Sequence, residues 1–230
     1  MMRSAVILAG GKSSRFGRDK GLARLGGKPL VRRVADGLRP VVDETIISIS
    51  SRNGQQAYRS RPPPHARFVE DRFADIGPLG GLITAFEEAG GEYVAVAPCD
   101  APFIKPALYG MLFELAQGTD GAVPVVGGYF EPLNAVYRRQ GMLPAMKRAL
   151  AEGLTKPVDA YRHLDILAVG ERSLRRADPG LESFVNLNTP EALGRARGRM
   201  RRGERRRALE ELSGRRGVNR GSRARGSRPS

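Results

Sequence analysis

The order in which apolar runs follow one another constrains this chain most. AVILA (Ala5–Ala9), TIISIS (Thr45–Ser50), ARFV (Ala66–Val69) and YVAVA (Tyr93–Ala97) are short, β-branched or small, and close on glycines, polar residues or carboxylates, as buried strands do. Helix-like stretches separate them. PLVRRVADGL (Pro29–Leu38) opens on a proline at its first turn, and the glycine-rich GPLGG leads into a helix from about Leu79 to Glu88 with a glycine stop at Gly90, both regular boundary signals. A helix over KPALYGMLFELAQ follows, then DGAVPVV and FEPLNAVY as a hairpin or edge pair. GMLPAMKRALAEG reads as a helix, DILAVG as a strand, and FVNLNTPEALGRA as a strand turning into a last helix. This alternation predicts an α/β fold, a doubly wound, mostly parallel sheet with helices on both faces. Such sheets bind ligands at the carboxyl ends of their strands. That rule gathers Gly10 and Gly11 after the first strand, Asp71 after the third and Asp100 after the fourth on one edge.

The first of those ends is LAGGKSSRFGRDK, Leu8 to Lys20. It carries Gly-Lys-Ser, the end of a Walker A loop, but the glycine required five residues before Gly11 is Val6, and no G-x-G-x-x-G occurs, so neither phosphate fingerprint applies. What remains is a strand stopping at two residues without β-carbons, where a ligand can approach bare N–H groups. Lys12, Arg15, Arg18 and Lys20 stand around it, with Asp19 the one acid. Fixed cations beside N–H groups suit a polyphosphate, and the same window also fits a solvated basic βα loop.

Asp100 lies between Pro98 and Pro102, which restrict the backbone on both sides of it. A lone, aimed carboxylate facing a phosphate loop suits Mg²⁺, which keeps several waters and takes one or two protein carboxylates beside substrate phosphates. The competing role, an N-cap for the helix over KPALYGMLFELAQ, is less favoured because Asp100 sits too far upstream. His65 in RPPPHAR and His163 in AYRHLD stand in no nucleophile–base motif, and two histidines with one cysteine are too scattered for zinc. Backbone amides, cations, Mg²⁺ and positioning are what phosphoryl or nucleotidyl transfer requires.

The net charge of +15 raises the prospect of nucleic acid. Its distribution argues otherwise. From Arg195 to Ser230 there are 14 arginines and 3 glutamates, whereas the preceding 194 residues hold 25 basic and 21 acidic side chains. The basicity belongs to a tail, residues 197–230, too poor in apolar side chains to offset ordering entropy and expected to be disordered. No aromatic residue follows Phe184, so base stacking is unavailable and specific nucleic-acid binding is not expected. Residues 1–196 read as one domain. Cys99, the single cysteine, excludes an internal disulfide, and no apolar run is long enough to span a bilayer. A cytoplasmic protein without membrane partners is expected.

LAGGKSSRFGRDK with GGKPLVRRV resembles the loop of the sugar-phosphate and cofactor nucleotidyltransferases. Together with FVEDRFADIGPLGGL, VAVAPCDAPFI, EPLNAVY and FVNLNTPEAL, in that order, the chain from about Ala5 to Leu193 is similar to the molybdenum cofactor guanylyltransferases. The resemblance implies a Rossmann-like nucleotidyltransferase fold that transfers GMP from GTP to the phosphate of Mo-molybdopterin and releases pyrophosphate. It implies that Leu8, Ala9 and Gly10, with Gly11 beside them, line the guanine nucleotide. Lys20 would bind its phosphates, Arg15 would offset charge on the transferring phosphate, Asp71 would contact GTP, and Asp100 would contact GTP and Mg²⁺. Asn186 and Asn188 of NLNTP would reach the metal's water shell or the acceptor, or else cap the helix beginning at Pro190. Gly77, Gly80 and Gly81 match a loop at the site's rim. GTP, Mo-molybdopterin and, as recipients of the product, molybdoenzyme chaperones are the implied partners. One position departs from the pattern: where some relatives carry an asparagine late in the second strand, this chain has Ile49, with Ser48 or Ser51 as substitutes. That leaves a cytidylyltransferase for the same cofactor, or a guanylyltransferase for another phosphorylated acceptor, as alternatives. A nucleic-acid-binding protein led by the tail is the alternative of a different class.

Overall fold

The computed structural model describes residues 1–9, 20–49, 58, 63, 65–73, 76–200 and 202. It divides into a compact unit Met1–Asn188 and a second unit Thr189–Ser230. In the first, β1 (Arg3–Leu8) is followed by a 3₁₀ turn at Lys20–Leu22, the two-residue strands β2 (Arg24–Leu25) and β3 (Lys28–Pro29), and helix α1 (Leu30–Leu38). Strands β4 (Glu44–Ile49) and β5 (Ala66–Glu70), helix α2 (Pro78–Glu88), strand β6 (Tyr93–Pro98) and helix α3 (Pro106–Leu115) follow. Then come β7 (Gly121–Val126), β8 (Tyr129–Phe130), β9 (Ala135–Arg138), α4 (Arg139–Ala151), a 3₁₀ segment Pro157–His163, β10 (Ile166–Gly170) and α5 (Glu171–Ala177).

Among the described residues the main sheet runs β10-β7-β9-β6-β1-β4-β5, with β8 added to β7. β6, β1, β4 and β5 are mutually parallel, and β10 is parallel to β7. β9 runs against both its neighbours, β6 and β7. The sheet is therefore mixed but mostly parallel, as the alternation of runs predicts. DGAVPVV and FEPLNAVY do pair antiparallel, β7 with β9, as a hairpin requires; the expectation that is corrected is the edge position and the continuity of FEPLNAVY. It splits into β8, which closes a hairpin on β7, and β9, which fills the middle of the sheet. A second is corrected too, because residues 185–188 of FVNLN form no strand. The alternating pattern is there, but among the described residues no strand pairs with it.

Successive β1 residues serve opposite layers, as the two-residue period of a strand requires. Ala5 and Ile7 pack with α1, α3 and α5 through Val34, Leu38, Leu108, Leu112 and Leu174. Val6 and Leu8 pack with α2 and α4 through Leu79, Leu82, Phe86, Met142 and Met146. Burial of Leu30, Val31, Val34, Ala35 and Leu38 along one stripe fixes which side of α1 faces the sheet. The register sets the strand ends level: Leu8 lies opposite Ser48 and Pro98, and Ile49 opposite Glu70. Among the described residues no helix is long and apolar enough to cross a membrane.

Candidate active site

Beyond those level ends the pairing continues for one more residue. The N–H of Ala9 donates to Ser48 C=O (2.8 Å), that of Cys99 to Leu8 C=O (3.0 Å) and that of Asp71 to Ile49 C=O (2.8 Å). The loops after β1, β5 and β6 thus leave the sheet along one edge with their first peptides fixed.

After β6, Asp100 is buried to 7% residual exposure. Its Oδ2 accepts from Lys20 Nζ at 2.9 Å, and the same ammonium donates to Asn188 Oδ1 at 2.6 Å. The Asp100 backbone C=O accepts the N–H of Leu187 at 2.8 Å. Three distant pieces of chain therefore meet around Asp100, one at its carboxylate and one at its backbone carbonyl. Each is held by its own support. Lys20 C=O accepts the N–H of Ala23, and Ala23 C=O that of Leu30, so the turn carrying Lys20 is tied to the start of α1. Between them the β2–β3 hairpin turns through Gly26 and Gly27, both at positive φ (55° and 77°), the turn that matches strand twist and that glycine allows. On the other side, buried Asp178 accepts the N–H groups of Glu182 (3.1 Å) and Ser183 (2.8 Å), and Ser183 Oγ accepts that of Lys105 (3.0 Å). The segment leading to Asn188 is so fastened to the start of α3.

Asp71 stands at the other part of the edge. β5 and β6 are three strand spacings apart, roughly 14 Å between backbones. Asp71 Oδ1 accepts the N–H of Phe73 (2.9 Å), and the N–H of Arg72 donates to Thr84 Oγ1 (3.2 Å). Arg72 also pairs with Glu87. Gly80, Thr84 and Glu87 lie on one face of α2, spaced i, i+4, i+7, and the missing side chain at Gly80 is what lets Phe73 rest there. A β-carbon at Gly81 would sit 3.0 Å from Ser48 Oγ, 3.3 Å from Leu8 Cδ2 and 3.5 Å from Asp71 Oδ2, so those three groups converge on the first turn of α2. Gly77 is the N-cap of α2, at φ 79°, with Pro78 first in the helix. Gly80 and Gly81 are therefore helical and buried, not part of a rim loop as expected. Burial pushes the Asp71 carboxyl above its ordinary value, against the opposing pull of the Phe73 N–H.

The family model of the MobA-like NTP transferase domain matches residues 5–166. The chain belongs to that family. It is 36% identical over 199 residues to the probable molybdenum cofactor guanylyltransferase of Natronomonas pharaonis, covering 86% of this chain and 98% of that one. It is 36% identical over 200 residues to the protein of the same description in Methanosarcina mazei, covering 83% and 88%. Among solved structures, molybdopterin-guanine dinucleotide biosynthesis protein A of Archaeoglobus fulgidus superposes with a TM-score of 0.73 at 28% identity, over 86% of this chain and 99% of that one.

The candidates from sequence fall into three groups. Lys20, Asp100 and Asn188 meet in direct contact, and Asn186 is exposed on the same segment. Leu8, Ala9 and Asp71 stand at the ends of β1 and β5. Gly10, Gly11 and Arg15 lie outside the described residues, as do Lys12, Arg18, Asp19 and Ser51. Of the two roles weighed for the NLNTP asparagines, helix capping belongs to Thr189, whose Oγ1 accepts the N–H of Ala192 at 3.1 Å. Ile49 is 1% exposed in the layer against α1, so it is a core residue. Ser48, its neighbour on the opposite face, is the polar group brought to the site. Asp178 was missed by sequence reasoning; its one local signal is the turn chemistry of ADPG.

Proposed function

We propose that this chain transfers GMP from GTP to the phosphate of Mo-molybdopterin, giving the guanine dinucleotide form of the cofactor and pyrophosphate. The contact of Lys20 with Asp100, just past the carboxyl end of β6, carries the reading, and the descriptions of its relatives supply the substrates. The acceptor phosphate oxygen attacks the α-phosphorus of GTP, a P–O bond forms, and the bond to pyrophosphate breaks. No protein base is needed, since the acceptor is already anionic. Lys20 binds the phosphates and with Arg15 offsets the charge leaving with pyrophosphate. Leu8, Ala9, Gly10 and Gly11 hold the nucleotide against the strand end, Asp71 contacts it from the α2 side, and Asn186 and Asn188 serve the acceptor or the metal's water shell.

Among the described residues no group of three or more histidine, cysteine or acidic side chains is gathered. A single buried carboxylate already holding a cation, Lys20, is instead the donor set of a hard ion that keeps its waters. Mg²⁺ fits it, with Asp100 as its protein ligand, and when bound supplies charge neutralisation on the triphosphate. Residues 1–196 would suffice for catalysis, the arginine tail and chaperone contact being separate from it. Reaction in the cytoplasm belongs to the same proposal.

Pyrophosphate release with Mo-molybdopterin and each NTP tests it. GTP is expected to be preferred over CTP by at least about tenfold in kcat/KM, and a chain ending at Arg202 is expected to keep the full rate. A preference for CTP overturns the guanylyl assignment; loss of activity on truncation brings the tail into the site.

Asp71 adds a pH signature. Its protonation in the folded chain begins at a higher pH than in the unfolded one, so the carboxylate needed for nucleotide contact is lost as pH falls through that raised value. GTP affinity is expected to weaken on that acid limb. In Asp71→Asn the limb should be absent by calorimetric titration; an unchanged limb would remove Asp71 from nucleotide binding.

A further inference from the structure

Lys20 is doubly engaged. Its ammonium sits 2.9 Å from Asp100 Oδ2 and 2.6 Å from Asn188 Oδ1, with side-chain exposures of 24% for Lys20 and 10% for Asp100. A carboxylate this far from solvent cannot stand bare without cost. The lysine supplies the neutralising charge, on the same carboxylate that would hold a divalent cation.

We infer that Lys20 is an internal counter-ion which a divalent cation must displace from Asp100, with Asn188 as the positioning residue that receives the released ammonium. The inference rests on Asp100 as the cation-holding carboxylate and is independent of which nucleotide is used. Two consequences follow from charge alone. A cation arriving without nucleotide has to part an ion pair and bring a second positive charge beside Lys20, so the metal by itself binds weakly. A triphosphate gives the released ammonium a new anionic partner, so nucleotide and metal each raise the other's affinity by the same factor. Asn188 matters in the intermediate condition. Its Oδ1 keeps one hydrogen bond on the ammonium after Asp100 is given up, and its backbone neighbour Leu187 remains bonded to the Asp100 C=O, so the lysine swings about a fixed point.

The opposite roles of Lys20 and Asn188 give opposite signs in one measurement, the affinity for Mn²⁺ alone, read by electron paramagnetic resonance without nucleotide. Lys20→Met is expected to tighten Mn²⁺ binding by roughly tenfold. Asn188→Ala is expected to weaken it by roughly threefold, because leaving Asp100 then costs Lys20 its last partner. Lys105→Met, which removes a cation paired with Glu182 (2.6 Å) and not with Asp100, should stay within about twofold of the parent and so accounts for general field effects. Adding GTP should improve Mn²⁺ affinity much more in the parent than in Lys20→Met. Unchanged or weaker binding in Lys20→Met overturns the inference, as does tightening that persists when Asp100→Asn is added. If Asp100→Asn leaves the parent's Mn²⁺ binding intact, the cation assignment of Asp100 falls as well.

Discussion

Asp100→Asn is expected to lower GMP transfer by about a thousandfold or more, with the melting temperature within about 3 °C of the parent. The fold should hardly notice. Leu187 bonds to the backbone carbonyl of residue 100, which the substitution leaves alone, and Lys20 retains Asn188 as an acceptor. The amide keeps the shape of the carboxylate and removes its charge, so what is lost is the attraction for a cation and, through it, for a triphosphate. Pyrophosphate release under saturating GTP, with calorimetry on the same sample, decides the matter. A variant within tenfold of the parent rate would mean that the charge needed at the α-phosphorus comes from elsewhere.

Gly80→Ala is expected to be the most damaging small substitution near the site. Its β-carbon would lie 2.7 Å from Phe73 Cβ and 3.2 Å from the Phe73 carbonyl oxygen, with Asp71 Oδ1 at 3.3 Å. Neither Phe73 atom is the loose end of a side chain, so the segment carrying Asp71 has to move off α2. A cost of about 2 kcal/mol follows, roughly 5 °C in Tm for a chain of this size, together with about a tenfold rise in the KM for GTP as Asp71 is displaced. Gly110→Ala is the matched comparison in α3. Its β-carbon meets only Val41 Cγ1, at an ordinary 3.8 Å, and alanine is the better helix former, so Tm should rise slightly. Equal losses in the two variants would show that glycine flexibility, rather than contact with the Asp71 segment, governs this region.

How much of this could be read from the residues depends on whether the signal is local. β1, β4, β5 and β6 announce themselves by composition and by the residues that close them, and the parallel order follows from the helices between them. Asp71 and Asp100 stand at strand ends because the strands end level, which a linear pattern implies once the sheet is parallel. For β9 the sequence says strand and partner of β7, but not that β6 takes its other edge and makes it interior. FVNLN failed for the same reason in reverse: alternation without a partner makes no strand. The pairing of Lys20 with Asn188 spans 168 residues and has no trace in either neighbourhood; only the folded edge brings them together. At Ile49 the resemblance suggests a missing contact, whereas strand alternation places it on the opposite face from Ser48.

β1 has one further consequence, for how the molecule is made. The first strand of the chain is also a central one: Ser4 pairs across to Glu44 on one side and to Val94 on the other. A chain emerging from the ribosome at about 5–20 residues per second therefore carries a finished apolar strand for seconds before its second partner exists. Closing that long separation is slow by contact order, and until it happens the AVILA segment is open to chance association.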